Sequence, residues 1–266
     1  MCRKTFRLII FKTKTMAKQR GIIKLEGTIG DITFYKSQDG FLAKGKGGIP
    51  KDRIANDPNF ARTRENGAEF GNAGKAGKTL RTSFRGLLQN ASDNRMVGRL
   101  ASKMVEVVQA DATNPRGLRN VIDGEAELLE GFDFNKNGKL GRTFYAPFTA
   151  AIDRVTGALT VDIPSFVPAN MVAAPGGTSH FKIISGGAEI DFENETFVVD
   201  TNETAILPWD NTATAVINLA NAVTANSTHP LFLALGIEFY QEVNGIKYPL
   251  KNGAFNALNL VKVSGI

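Results

Sequence analysis

The sequence predicts an α+β protein: a basic β-hairpin and helices at the N-terminus, followed by an antiparallel β-sandwich. Three observations predict it. Charge divides along the chain. Residues 1–120 hold 24 Lys and Arg against 10 Asp and Glu, a net of +14, and residues 121–266 hold 8 against 16, a net of −8. The apolar periodicity changes near the same place, from helical spacing to strand-like alternation. Beyond Phe132, short strand-like runs succeed one another with Asn-Gly and Gly-Gly punctuation, the pattern of a sandwich. Three segments are expected: 1–15, a basic hairpin and helical region over 16–131, and an acidic sandwich over 132–266.

Composition narrows the function classes. The chain has 266 residues, 42% of them hydrophobic, enough for a sizeable core. A single Cys, Cys2, excludes a disulfide framework and a Cys-rich metal site. The longest apolar run, Leu231–Ile237, falls far short of the roughly 20 residues that span a bilayer, so no membrane partner is expected. The first residues, MCRKTFRLIIFKTKT, lack the apolar core and cleavage site of a secretory signal. Translation is expected to begin at Met16, with residues 1–15 a mis-assigned extension or a basic arm. The expected location is the cytoplasm or an assembled particle.

Taken in order, Asp31–Lys36 and Phe41–Lys44 flank Ser37-Gln38-Asp39-Gly40, a hairpin signal. Residues 45–58 read as a basic loop ending at Asp57-Pro58, which suits a helix cap and its first-turn proline. Residues 59–90 read as a glycine-rich helix with Phe70, Leu80, Phe84, Leu87 and Leu88 on one side. A second helix, about 94–110, carries the stripe Met96, Leu100, Met104 and Val108 and is capped by Ser92 or Asp93. A short acidic helix is expected at 122–130. Strands are expected at 132–135, 139–145, 158–163, 180–185, 188–192, 196–200, 205–208, 214–219, 231–241, 246–250 and 257–263. Asn137-Gly138, Gly186-Gly187 and Asn244-Gly245 are expected as hairpin turns.

The chemical motifs fail on spacing. GNAGKAGKT (71–79) needs a glycine at Asn72 to be a phosphate-binding loop, and no strand precedes it. Gly45-Lys-Gly-Gly48 lacks a strand-turn-helix context. Asp133-Phe-Asn135-Lys-Asn137-Gly138 starts like a calcium loop, but its twelfth position is Phe144 instead of Glu. His180 and His229 have no spaced partner to complete a base or a metal site. No catalytic residue, metal, cofactor or small-molecule substrate is therefore expected.

Two surface features remain. Lys75, Lys78, Arg81 and Arg85 share one arc of the first helix, with Arg62, Arg64, Arg95 and Arg99 nearby in sequence. Gly67, Gly71 and Gly74 fall near that arc and suggest close backbone approach. Glu125, Glu127 and Glu130 form one acidic cluster, and Asp191, Glu193 and Glu195 another, as docking candidates for the basic half of a second copy. The expected function is that of a non-enzymatic structural protein that assembles with itself into a homo-oligomer, filament or shell, with a phage derivation among the expectations. The alternative is sequence-independent nucleic-acid binding through the basic face, driven by phosphate contacts.

The stretches GIIKLEGTIGDITFYKSQDGFLAKGKGG (21–48) and RTRENGAEFGNAGKAGKTLRTSFR (62–85) resemble an uncharacterised protein family of Bacteroidota genomes. In it a short N-terminal β unit, a Gly/Arg-rich helical segment and a β-rich C-terminal half occur together. The resemblance implies a bacterial or phage-related origin and carries over no activity and no site residue.

Overall fold

The protein is described over residues 17–45 and 48–265 by a computed structural model. The expected extension at 1–15 and the centre of the Gly45–Gly48 loop lie outside the described residues. The chain forms two units, divided between Ala61 and Arg62.

The first unit is a small antiparallel sheet of β1 (Ala17–Lys18), β2 (Gly27–Ile29), β3 (Ile32–Ser37) and β4 (Gly40–Gly45), in the order β1-β4-β3-β2. Ser37 pairs with Gly40 across the expected turn. Helix α1 (Lys51–Asn56) follows. Asp57 then caps a 3-10 turn at Pro58–Phe60, its carboxylate accepting the Asn59 N–H at 3.0 Å, as Asp-Pro predicted. Among the described residues of this unit, Leu42 is the one buried side chain.

The second unit is α+β with a β-rich C-terminal half, as expected. Its helices are α2 (Ala61–Ser83), α3 (Arg85–Leu88), α4 (Met96–Ala110), α5 (Leu140–Thr143) and α6 (Pro168–Met171). Its strands are β5 (Thr149–Asp153), β6 (Ala158–Ile163), β7 (His180–Asp191), β8 (Thr196–Glu203), β9 (Leu207–Pro208), β10 (Ile217–Ala222), β11 (Leu231–Val243), β12 (Ile246–Pro249) and β13 (Ala257–Ser264). One antiparallel sheet runs β12-β11-β7-β8, with β13 also on β11 and β9 also on β7; a second runs β10-β6-β5.

Side-chain alternation places these elements in three layers. On β11, Phe232 and Ala234 point into a core shared with Leu80, Phe84, Leu100 and Met104 of the helical segment. Leu233, Leu235, Ile237 and Phe239 point the other way, onto Leu159, Val161 and Ile163 of β6. The central sheet is therefore buried on both faces, which is why β11 reads as the unbroken run LFLALGI rather than as alternation. Helix α4 shows the opposite logic. Met96, Leu100, Met104 and Val108 are buried as its four-residue stripe predicted, and Val107 joins them. Each such side chain stabilises by about 1.5–3 kcal/mol on burial.

Several local expectations are corrected. Gly186-Gly187 is not a turn; β7 runs straight through it. A Cβ at Gly186 would stand 2.7 Å from Cδ1 of Leu87, and one at Gly187 would stand 2.9 Å from Cβ of Asn221. The pair lets a helix and a second sheet press on the same point of β7 from opposite faces. Residues 139–145 contain α5 rather than a strand, because Asp133 Oδ1 accepts the Leu140 N–H at 3.1 Å and Asn135 Oδ1 accepts the Asn137 N–H at 3.0 Å. Asn137-Gly138 is thus a helix lead-in, not a hairpin. The acidic helix at 122–130 is a 3-10 turn at Ala126–Leu129. Strand β5 was not anticipated. Asn244-Gly245 does join β11 to β12, with φ of 53° and 79°, the positive pair that a type I′ hairpin needs. Phe70, expected on the apolar side of α2, is exposed.

Candidate functional site: a basic helix face and its surroundings

Helix α2 presents two unlike faces. Ala73, Ala76, Gly77 and Leu80 are buried, and a Cβ at Gly77 would sit 3.6 Å from Cγ of Met104 on α4. The small residues thus set the helix close against its neighbour. The opposite face carries Lys75, Lys78 and, just beyond the helix end, Arg85, all exposed. Gly67, Gly71 and Gly74 also face outward, and a Cβ on any of them would meet nothing within 4 Å. Along α2, the close approach belongs to Gly77.

The predicted cation stripe divides. Lys78, Arg81 and Arg85 line one open groove of about 510 Å³ with Thr82 and Gln89, and no carboxylate lines it. Arg81 steadies its guanidinium on the Gly77 carbonyl at 3.2 Å. Lys75 instead opens onto a cleft of about 520 Å³ that also holds Asp123, Glu193 and Glu195. One basic residue and part of the second acidic cluster therefore already face each other within one chain.

The remaining arginines play different parts. Arg99 is a structural anchor. Its guanidinium donates to Asp93 at 2.5 Å and to the Asp133 and Phe134 carbonyls at 2.6 and 3.1 Å, and lies over the Phe132 ring. Arg62 pairs with Glu65 at 2.8 Å. Arg64 and Arg95 are exposed. Arg99 thus falls away from any phosphate-tracking role, because its two terminal nitrogens are spent on Asp93 and the 133–134 carbonyls and its Nε is buried.

The acidic candidates are also partly committed. Glu127 accepts the Gly265 N–H at 2.6 Å, and Glu130 lies 3.9 Å from Lys262. Asp191 accepts the Glu193 and Asn194 N–H groups and the Asn194 amide, which close the turn after β7. These hydrogen bonds, that of the Asn194 amide first, hold the Asp191 carboxyl below the usual carboxylate range. Glu125, Glu193 and Glu195 remain exposed. His180 Nδ1 lies 2.9 Å from Ser179 Oγ, and His229 Nε2 lies 4.0 Å from Asp191. Asp133 is spent on Leu140 and Asn259, and among the described residues no group of His, Cys, Asp and Glu is arranged to hold a metal ion.

Sequence reasoning missed a buried polar cluster between β7 and β11. Glu238, 4% exposed, accepts from the Tyr240 hydroxyl at 2.7 Å and the Asn90 amide at 3.1 Å, and Lys182 Nζ stands 3.4 Å away. Lys182 also reaches Glu203 at 2.8 Å. Burial would lower the Lys182 ammonium, but the Glu203 hydrogen bond and the Glu238 charge outweigh it and raise it above an ordinary lysine. Burial and the Glu238 contact push the Tyr240 hydroxyl up to about 12. Every member has a partner, so the cluster locks two strands together rather than poising a proton for transfer. Its signal in the sequence was the pair Glu238 and Tyr240, which interrupts an otherwise apolar strand.

No helix among the described residues is long and apolar enough to cross a membrane. Compared with known proteins, the chain matches no family model, no curated protein and no solved structure.

Proposed function

We propose that the protein is a non-enzymatic structural protein that assembles with itself, and that the sheet β1–β4 is the arm by which it does so. One observation carries the reading. That unit leaves Ile22 and Ile23, in the connection between β1 and β2, and Ile29 and Ile32, paired across β2 and β3, exposed, and buries Leu42 alone among its described side chains. Small sheets are stabilised by burying one face, and this one has an aliphatic face without a core of its own. The unit is also basic, with Lys36 on the Ile32 face, Lys18 and Lys44 on the opposite face, and Arg20 and Lys24 in the connection between β1 and β2.

A second copy offers matching chemistry. Strand β8 exposes Phe197, Val198 and Val199, with Glu193, Glu195, Asp200 and Glu203 around them. A basic aliphatic arm on an acidic aliphatic strand is a heterologous contact, which propagates into a ring or a filament. Light scattering across a concentration series tests it. The intact chain is expected to form large species, and the variant Ile22→Ser/Ile23→Ser/Ile29→Ser is expected to stay monomeric. An intact chain that is monomeric throughout would overturn the reading.

A second reading has its own support. Lys78, Arg81 and Arg85 converge on a groove that no carboxylate lines, a fit for a phosphate backbone. Loss of retention on immobilised DNA by Lys78→Gln/Arg81→Gln/Arg85→Gln is the expected result; unchanged retention would remove that reading.

A further inference from the structure

The groove beside α2 has a counterpart built from the acidic half. Lys136, Lys139 and Arg142 converge on an open groove of about 380 Å³ floored by Phe239 and Phe255. No carboxylate lines this groove either, and none lies within ion-pairing distance of those three cations among the described residues. Lys251 adds a fourth cation, its ammonium 5.1 Å from the centre of the Phe255 ring. Half of the eight cations in residues 121–266 are therefore gathered in one place, although this half of the chain is acidic as a whole.

The groove is held in shape before any ligand arrives. The Lys136 N–H donates to Asp93 at 2.9 Å. The buried Asn135 amide donates to the carbonyls of Ala254 and Asn256 at 3.0 and 2.8 Å. Gly138 lies against the same segment so tightly that a Cβ would stand 2.4 Å from the Phe255 carbonyl oxygen. The lysine-bearing loop and the Phe255 segment are thus clamped to each other, and little order remains to be imposed on binding.

The two grooves have a common neighbour. A pocket of about 290 Å³ lies between them, sharing Gln89 with the α2 groove and Phe239 with the second groove. Its lining includes four side-chain amides, those of Gln89, Asn90, Asn252 and Asn256. The one carboxylate there, Glu238, is already held by Lys182, Tyr240 and Asn90.

We propose that the α2 groove, the amide pocket and the Lys136–Arg142 groove form one continuous track that binds single-stranded nucleic acid. The cations take the phosphates, the exposed Gln89 and Asn252 amides take base edges, and a base stacks beside Phe255, which is 38% exposed. This rests on the second reading above and extends it. A single strand fits the chemistry better than a duplex, because an exposed aromatic beside cations engages an unpaired base and has no partner in a closed stack.

Fluorescence anisotropy of a labelled oligothymidine long enough to cross the track tests the assignment, with heparin as a second polyanion. Lys136→Gln/Lys139→Gln/Arg142→Gln is expected to weaken oligothymidine binding at least about tenfold and to lower the salt slope by about 2, at roughly 0.7 for each phosphate no longer neutralised. Phe255→Ala is expected to weaken oligothymidine binding about tenfold and to leave heparin binding unchanged. If the loop variant binds like the intact chain while Lys78→Gln/Arg81→Gln/Arg85→Gln does not, the track is wrong and the helix groove stands alone. If neither set of substitutions matters, nucleic-acid binding falls altogether. If Phe255→Ala changes nothing and heparin binds as tightly as oligothymidine, the single-strand assignment is overturned. Arg81 is half-buried and the other substituted side chains are exposed, so thermal melts should stay close to that of the intact protein.

Discussion

Leu87 sits directly over Gly186: a Cβ added to that glycine would stand 2.7 Å from Leu87 Cδ1 and 3.2 Å from Phe84 Cε1. The helical layer and the central sheet meet at this point, and there is no room for a methyl group. Gly186→Ala is expected to destabilise by about 1–3 kcal/mol, the usual cost of overpacking. Gly176→Ala, where a Cβ meets nothing within 4 Å, should leave the urea midpoint unchanged. Equal midpoints for the two variants would show that the layer contact is looser than described.

Asp111, 2% exposed, ties down the loop after α4. Burial pushes its carboxyl up, but donors from Asn114, Asn120 and Thr113 outweigh burial and hold it at about 2, against an ordinary 3.8. A depressed carboxylate contributes stability that is present above its unfolded value and lost as pH falls through its folded one. Between pH 4 and pH 2 the protein should therefore lose stability, and Asp111→Asn should flatten that part of the curve. At neutral pH the substitution should cost about 1–3 kcal/mol, because backbone donors lose an acceptor. Chemical denaturation at a series of pH values reads both effects.

The Lys182, Glu238 and Tyr240 cluster predicts the alkaline limb. Both Lys182 and Tyr240 hold their protons more tightly when folded, Tyr240 up to about 12 from an ordinary 10.0. The Tyr240 contribution is complete below pH 10 and is lost as pH rises through 12, and that of Lys182 persists to higher pH. Phenolate absorbance should show one late-titrating tyrosine whose ionisation coincides with unfolding. Lys182→Met leaves Glu238 without its cation and should cost about 3 kcal/mol.

Arg99 should behave as a core residue and Lys78 as a surface one. Arg99→Lys cannot reproduce the fork that reaches Asp93 and two carbonyls, and should lower stability by about 2 kcal/mol. Lys78→Gln should fall within about 0.5 kcal/mol of the intact protein. Thermal melts of the two variants separate an anchor from a contact residue.

Much of the secondary structure was legible in the residues. The four-step stripe of α4, the Asp57-Pro58 cap, the Asn244-Gly245 hairpin and the alternation of β6 all rest on neighbours close in sequence. The α2 cations were legible too, since helical period alone groups Lys78, Arg81 and Arg85. Three readings missed for one reason. Gly186-Gly187, Asn137-Gly138 and the Phe70 position each depend on what stands opposite across the fold.

Local periodicity and charge order along the chain are enough to specify an α+β protein with a cationic helix and a β-rich acidic half. They do not say that the central sheet is covered on both sides, that Arg99 is consumed internally, or that Lys136, Lys139 and Arg142 lie one pocket away from α2. Those facts arise from long-range packing. A glycine signals a turn or a close contact according to the atoms brought against it, and a cation binds outward or inward according to the acceptors folded around it.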